Sequence, residues 1–383
     1  MSQALGIGIV CYARWGGSGV VAAELASGLA ARGHRVHLIA AVPPSRRLIE
    51  SERLRVHVVE VPDYPVFEHP PYELALANAI VDVSAGAALD VLHVHYAVPH
   101  AAAAHMARQV LGAAAPGCVI TLHGSDVTRV GSAPSYRGVT RFAVAAADHI
   151  TVPSEFLRRE AEQRLALDGA SIEVIPNFVD TDRFAPPPQR DRTRLEALFD
   201  GVPGPVLFHV STLRAVKRPT DLIDALVAVR EHVPARLVLV GDGPERAAAA
   251  AHAQARDVVD HVVFLGQRAE FAELLREADA FVLTSETESF GVAALEALSA
   301  GVPVFAYGVG GVPEVVAAGT GVLVEPLDVA ALARALVEAL RDPPRLAGLG
   351  AAARRHALAH FRRDQALDRY EACFRRVVEG RRQ

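Results

Sequence analysis

The chain has 383 residues, which at roughly 100–200 residues per domain implies about two domains. Apolar residues make up 51% and charged residues 22%, which excludes a disordered or fibrous protein. A net charge of −5 leaves no global positive field to hold nucleic acid or an anionic membrane surface, so any anion has to be held locally.

Short β-rich runs alternate with Ala/Leu/Glu/Arg stretches of helical period from end to end, the pattern of an α/β protein with parallel sheets. In the first half, strands are predicted at 5–12, 35–39, 54–61, 91–95, 119–122, 149–152 and 173–175, with helices over 20–31, closed by Gly33 as a C-cap, and over 101–109. Together 1–176 form a first domain. Residues 177–191 carry a proline run and no periodicity, and read as a linker. The pattern restarts with strands at 206–210, 236–240, 261–265, 280–284 and 302–307, each followed by a helix, giving a second domain over 192–361. The amphipathic segment 362–383 is expected to pack back on the first domain. Two doubly wound, Rossmann-like domains follow, with a ligand cleft facing the carboxyl ends of both sheets.

Three cysteines without metal-type spacing argue against a disulfide scaffold or structural zinc and suit a reducing cytoplasm. Residues 1–13 have no basic region ahead of their apolar run, and no stretch reaches the roughly 18 apolar residues of a membrane span, so neither export nor a membrane span is expected. Of 39 basic residues 38 are arginine, and Lys217 is the sole lysine. A lysine that survives such a bias marks a place where an ammonium point charge is required.

Several strand exits carry candidate chemistry. Gly17 to Ala22 fits G-x-G-x-x-A at a helix start, a turn that exposes backbone N–H groups to an anion, and Gly16, Gly17 and Ser18 are its candidates. A nicotinamide site would need an acid about 20 positions on; none is present, and only Arg46 and Arg47 speak for a 2′-phosphate. A bare turn and an NADP-dependent oxidoreductase are the competing readings. After the strand at 206–210, Arg214 and Lys217 stand three positions apart and can clamp a diphosphate. After 280–284, Glu288 sits in a loop, Phe290-Gly291 offers N–H groups at a helix start, and Glu296 interrupts an apolar helix where a charge needs a partner. His123 ends a first-domain strand beside Gly124, Ser125 and Asp126, which points it at the cleft floor. His93, His95 and His100 lack an acid to complete a metal site, and the one Asp-x-Asp, Asp180 and Asp182, falls in the linker, so no metal is expected.

Together these features resemble the retaining GT-B glycosyltransferases of family four, whose E-x(7)-E signature matches Glu288 to Glu296. Gly241-Asp242-Gly243-Pro244, residues 175–180 and 310–314 support the resemblance, which covers nearly the whole chain. It implies a metal-independent hexosyltransferase with catalytic His123, Arg214, Lys217 and Glu288, and a donor site of Gly16, Gly17, Ser18, Arg214, Lys217, Glu288, Phe290, Gly291 and Glu296. The family commonly has Gly-Arg-Leu where this chain has Ser211-Thr212-Leu213, so Arg214 has to supply the guanidinium. Three stretches, at 11–22, 64–77 and 121–126, are similar to a branch that moves N-acetylglucosamine from UDP-N-acetylglucosamine to the hydroxyl of L-malate in bacillithiol biosynthesis. For such a small dianion, Tyr96, Thr121, Arg141 and Asn177 are the candidate acceptor residues. An inositol phosphate or a lipid is the alternative acceptor. The implied partners are thus a UDP-sugar donor, as a substrate rather than a cofactor, and a small anionic acceptor; self-association into a homo-oligomer is allowed.

Overall fold

A computed structural model describes residues 3–382 apart from 13–15, 44–47, 49, 64, 67, 170–171 and 190. The chain divides into two compact units, 1–177 with 363–383, and 178–362.

In the first unit, β1 (Gly6–Cys11) is followed by α1 (Gly17–Ala31), β2 (Arg35–Ala40) and β3 (Leu54–Val58). Then come α2 (Tyr72–Ala87), β4 (Val91–His95), α3 (Ala97–Leu111), β5 (Gly117–Thr121), α4 (Ser125–Thr128) and α5 (Arg137–Ala145). β6 (His149–Val152), α6 (Glu155–Leu165) and β7 (Ile172–Val174) complete the sheet, whose order is β3-β2-β1-β4-β5-β6-β7. All its pairings are parallel. β1, β4 and β5 are buried at every position, as strands covered by helices on both faces must be. α1 ends as its glycine foretells: Gly33 adopts φ 96° and donates to Ala30 O (3.0 Å), while His34 N donates to Leu29 O (3.1 Å), satisfying two orphan carbonyls.

The second unit contains α7 (Thr193–Ala197), β8 (Val206–Val210), α8 (Pro219–Arg230), β9 (Arg236–Val240), α9 (Arg246–Ala255), β10 (Val262–Phe264) and α10 (Ala272–Leu275). It continues with β11 (Ala280–Leu283), α11 (Val292–Ser299), β12 (Val304–Tyr307), α12 (Val312–Val315), β13 (Gly321–Val324), α13 (Val329–Leu340) and α14 (Pro343–His360). Its parallel sheet runs β10-β9-β8-β11-β12-β13. The closing helix α15 (Arg363–Arg382) belongs to the first unit, with Tyr370 and Phe374 buried and their ring centroids each 5.1 Å from that of His93.

Both sheets reverse strand order beside their first strand, between β1 and β4 and between β8 and β11. At such a point neighbouring loops diverge to opposite faces and leave a crevice beyond the carboxyl ends.

Several expectations need correction. β3 stops at Val58 rather than 61, and α1 and α3 begin at Gly17 and Ala97 rather than 20 and 101. The segment 177–191 is not a free tether: Val179 and Phe184 lie in the second unit's core, and Arg183 donates to Ala269 O (2.9 Å). An edge strand, β13, was not foreseen at all. Among the described residues no helix is long and apolar enough to cross a membrane.

Candidate active site

In the second unit, the loops leaving β8 and β11 meet at the reversal point. Glu286 N donates to Val216 O (2.9 Å), and Thr284 Oγ1 donates to the carbonyls of Lys217 (3.0 Å) and Arg218 (3.1 Å). The Arg218 guanidinium spans Asp221 (2.7 and 3.0 Å) and Glu286 (3.0 Å), and Tyr307 donates its hydroxyl proton to the same Asp221 (2.8 Å). Stitched in this way, the loops bring together two residues that the sequence separates widely. Lys217 Nζ donates to Glu288 Oε1, which also accepts the Ser285 hydroxyl (2.9 Å). Both partners of the ion pair are largely buried, so their attraction is screened less than at a surface.

Arg214, at the start of the same loop, is exposed, and no ion pair involves it among the described residues. Its backbone N donates to Thr212 O (2.8 Å). Ser211, which replaces the family's glycine, has a structural account. His209 Nδ1 must donate to Val282 O (2.8 Å), since a carbonyl only accepts, so His209 Nε2 takes the Ser211 hydroxyl proton (2.7 Å). Burial pushes this imidazole down to about 4.

Gly291 caps α11 with φ 100°, a conformation open to glycine but costly for other residues, and the first turn of α11 presents its N–H groups there. The Phe290 ring is buried against Phe361 (centroids 5.8 Å apart), so only its backbone faces a ligand role. Glu296, 5% exposed, lies within α11.

In the first unit, Gly16 caps α1 with φ 153° and open space where a Cβ would stand, and Gly17 and Ser18 begin the helix. Trp15, Arg46, Arg47, Tyr64 and Phe67 lie outside the described residues. Across the reversal, Tyr96 caps α3 with φ 72°, a strained backbone for a non-glycine residue. It is held by its N–H to Thr121 O (3.0 Å) and by its hydroxyl to Ser125 Oγ (2.7 Å). His123 Nε2 lies 2.9 Å from His95 Nδ1. Burial lowers the His123 imidazole to about 3, so it is neutral at physiological pH.

Thr121 has to be withdrawn from the acceptor site. Its side chain is fully buried, and Oγ1 is shared between His93 Nε2 and Thr151 Oγ1, each 2.6 Å away. Arg141 is exposed on α5, where no ion pair involves it among the described residues. Asn177, the last residue of the unit before the crossing, is 5% exposed, and its Oδ1 finds no hydrogen-bond partner among the described residues.

Sequence reasoning missed Asp126 as an organising residue. Its carboxylate is fully buried and accepts from the backbone N–H groups of Ala97 (2.9 Å), His123 (3.0 Å) and Gly124 (2.7 Å), tying the β4 exit to the β5 exit. Its position three residues after His123, at the start of α4, was the available signal. Among the described residues one compact trio of metal-ligand types occurs, His149, Glu173 and Cys373. Glu173, however, already pairs with Arg376 (2.5 Å) and Arg369 (3.6 Å), and two guanidiniums oppose a dication. Asp180, the first acid of Asp-x-Asp, spends Oδ1 on the N–H groups of Asp182 and Arg183, both at 3.1 Å.

Two parallel Rossmann-like units, the second with a lysine and a glutamate converging at its strand-order reversal, have the GT-B fold. Comparisons with known proteins agree. Residues 15–183 match the model described as Glycosyltransferase Family 4, and 199–356 match Glycosyl transferases group 1. The chain belongs to the family-four glycosyltransferases. It is 38% identical to the N-acetyl-alpha-D-glucosaminyl L-malate synthase of Bacillus anthracis, over 98% of this chain and 97% of that one. It is 32% identical to the D-inositol 3-phosphate glycosyltransferase of Xylanimonas cellulosilytica, over 88% and 87%. Among solved structures, Anabaena HepE in complex with UDP and glucose superimposes with a TM-score of 0.79 at 20% identity, covering 96% of this chain and 99% of that one. The oxidoreductase reading of Gly17 to Ala22 therefore falls; that turn belongs to a glycosyltransferase.

Proposed function

We propose that this protein moves N-acetylglucosamine from UDP-N-acetylglucosamine to the hydroxyl of L-malate, with retention at the anomeric carbon and without a metal, as the first step of bacillithiol synthesis. The observation that carries this reading is the end-to-end similarity to the Bacillus anthracis enzyme, at higher identity and coverage than the inositol-phosphate relative. Three free, buried cysteines suit a cytoplasmic setting.

The second unit takes the donor. Arg214 and Lys217 meet the diphosphate, where protein cations replace a divalent ion in stabilising the leaving group. Glu296 accepts from the ribose hydroxyls and Glu288 from a hydroxyl of the transferred sugar, while the N–H groups at Phe290 and Gly291 face phosphate oxygens; in the first unit the turn of Gly16 to Ser18 offers N–H groups to an anion. Arg141, Tyr96 and Asn177, in the first unit, take the acceptor, and His123 orients the sugar. In the transfer the bond from the anomeric carbon to the diphosphate oxygen breaks as the bond to the malate oxygen forms. The malate hydroxyl proton passes to the departing phosphate on the same face. Glu288 is no nucleophile in this scheme, because Oε1 already holds an ammonium and a hydroxyl proton.

A second reading, transfer to an inositol phosphate, is favoured by the 32% identical relative. Measuring UDP release with L-malate, with an inositol phosphate and with neither distinguishes the two. Malate-dependent release that survives EDTA is expected. Release with the inositol phosphate alone overturns the acceptor, and loss in EDTA restored by Mg²⁺ or Mn²⁺ overturns metal independence. UDP, and not NADPH, is expected to raise the thermal midpoint, because a ligand that binds only the native state must do so.

A further inference from the structure

The His95–His123 contact permits two proton arrangements, and burial separates them. His95 is fully buried, and its second ring nitrogen, Nε2, has no hydrogen-bond partner among the described residues. If His123 donated from Nε2, His95 would accept at Nδ1 and carry its own proton on Nε2, a buried N–H with no acceptor. If His95 donates from Nδ1, its Nε2 is a bare lone pair instead. Orphaned buried N–H groups are rarer than under-satisfied acceptors, because a donor left dry forfeits a full hydrogen bond. The second arrangement therefore prevails, and it leaves the His123 proton on Nδ1.

Neighbouring groups hold His95 in the orientation this requires. Its backbone carbonyl accepts from His100 Nδ1 (2.7 Å), its ring lies 4.2 Å from that of His93 between centroids, and its ring and that of His123 are stacked at an interplanar angle of 26°. Burial holds His95 far below the usual histidine range and His123 near 3, so neither ring takes a second proton at neutral pH. The His123 backbone is fixed separately, through its N–H to Asp126.

We propose that His95 is a positioning residue that locks His123 as the Nδ1–H tautomer, so that His123 meets an oxygen of the sugar substrate as a neutral hydrogen-bond donor through Nδ1. This rests on the role given to His123 above. A histidine that presented a bare nitrogen would repel a carbonyl or phosphate oxygen and accept only from a hydroxyl. Specificity for the oxygen thus depends on a residue that does not itself meet the substrate.

The test is the imidazole nitrogen spectrum of the ¹⁵N-histidine-labelled wild-type protein, with the His123 signals assigned by their loss in His123→Phe, combined with transfer kinetics. The wild type is expected to show His123 protonated at Nδ1. In His95→Phe the His123 ring should become a mixture of tautomers, and kcat/KM should fall by about 10-fold or more, as small misorientations at a reacting centre do. His95→Asn, whose amide N–H₂ stands near the place of Nδ1, should restore both. A wild-type His123 protonated at Nε2 overturns the proposal whether or not any variant folds, and so does a His123 spectrum unchanged in His95→Phe. If the tautomer is as stated but His123→Phe transfers at the wild-type rate, the substrate role of His123 is overturned while the lock stands.

Discussion

At the scale of single residues, the pairing of Lys217 with Glu288 is the feature on which the donor reading turns. A diphosphate arriving beside Lys217 has to share an ammonium already held by a carboxylate, and Ser285 on the same oxygen lowers the cost of that sharing. Lys217→Ala is expected to lower kcat by about 10²–10³, the usual loss when one preorganised charge leaves a transition state, with stopped-assay UDP release as the measure. Because guanidinium geometry differs from that of an ammonium, Lys217→Arg should not rescue it. In the other unit, Arg141→Leu should raise the malate KM by about 10-fold or more while UDP affinity, read by calorimetry, stays unchanged. The strand exits that carry Lys217, Glu288 and Arg214 were legible in the sequence because each residue follows a buried strand at short range. His95 was not, because its role depends on β4–β5 register, which sets it opposite Thr121 and has no trace in linear order, and Asp126 left only its place three residues after His123 as a signal. Thr121 was misjudged for a related reason: successive side chains alternate between faces of a strand, and its Oγ1 is taken up by hydrogen bonds to His93 and Thr151.

At the scale of elements, the site loops stand on close backbone contacts rather than on long side chains. Gly311 N donates to Glu288 O (2.9 Å), and a Cβ on Gly311 would run into the Ser289 carbonyl and come 3.2 Å from Phe290 Cα. The turn before α12 therefore presses on the segment that carries Glu288 and opens α11. Gly311→Ala should cost about 1–3 kcal/mol in urea unfolding, as overpacking does, and should also weaken UDP binding, since the backbone that yields is that of Ser289 and Phe290. Lost stability with unchanged UDP affinity would separate the turn from the site. Most strands were legible to within a residue or two, because buried parallel strands are unbroken β-rich runs. What failed had weak local signals. β13 is a short edge strand, half-buried at all four positions, and α1 opens on glycines whose propensity argues against the helix they begin. Residues 177–191 hid their two core contacts, Val179 and Phe184, among prolines and charges.

For the whole molecule, the first unit concentrates a burden that its sequence carries as four ordinary-looking histidines. Burial lowers His93 and His123 to about 3, His100 to about 4 and His95 well below the normal range of 6.5. In the second unit His209 is lowered to about 4. Each is neutral when folded but free to charge when unfolded, so between pH 6.5 and roughly 4 the unfolded chain binds protons that the native chain refuses. Stability is therefore fully present above about pH 6.5 and is lost as pH falls, by about 1.4 kcal/mol per pH unit for each such group once well below 6.5. Asp126 works in the opposite sense, since burial raises its carboxyl, but it is one group against these five histidines. The urea midpoint is thus expected to fall steeply between pH 7 and pH 5. His93→Gln, whose amide reaches toward Thr121 without a titrating proton, should flatten that slope by the equivalent of about one proton. An unchanged slope in His93→Gln would mean that His93 takes up its proton equally in the folded and unfolded chains, and would refute its place among the acid-sensitive groups.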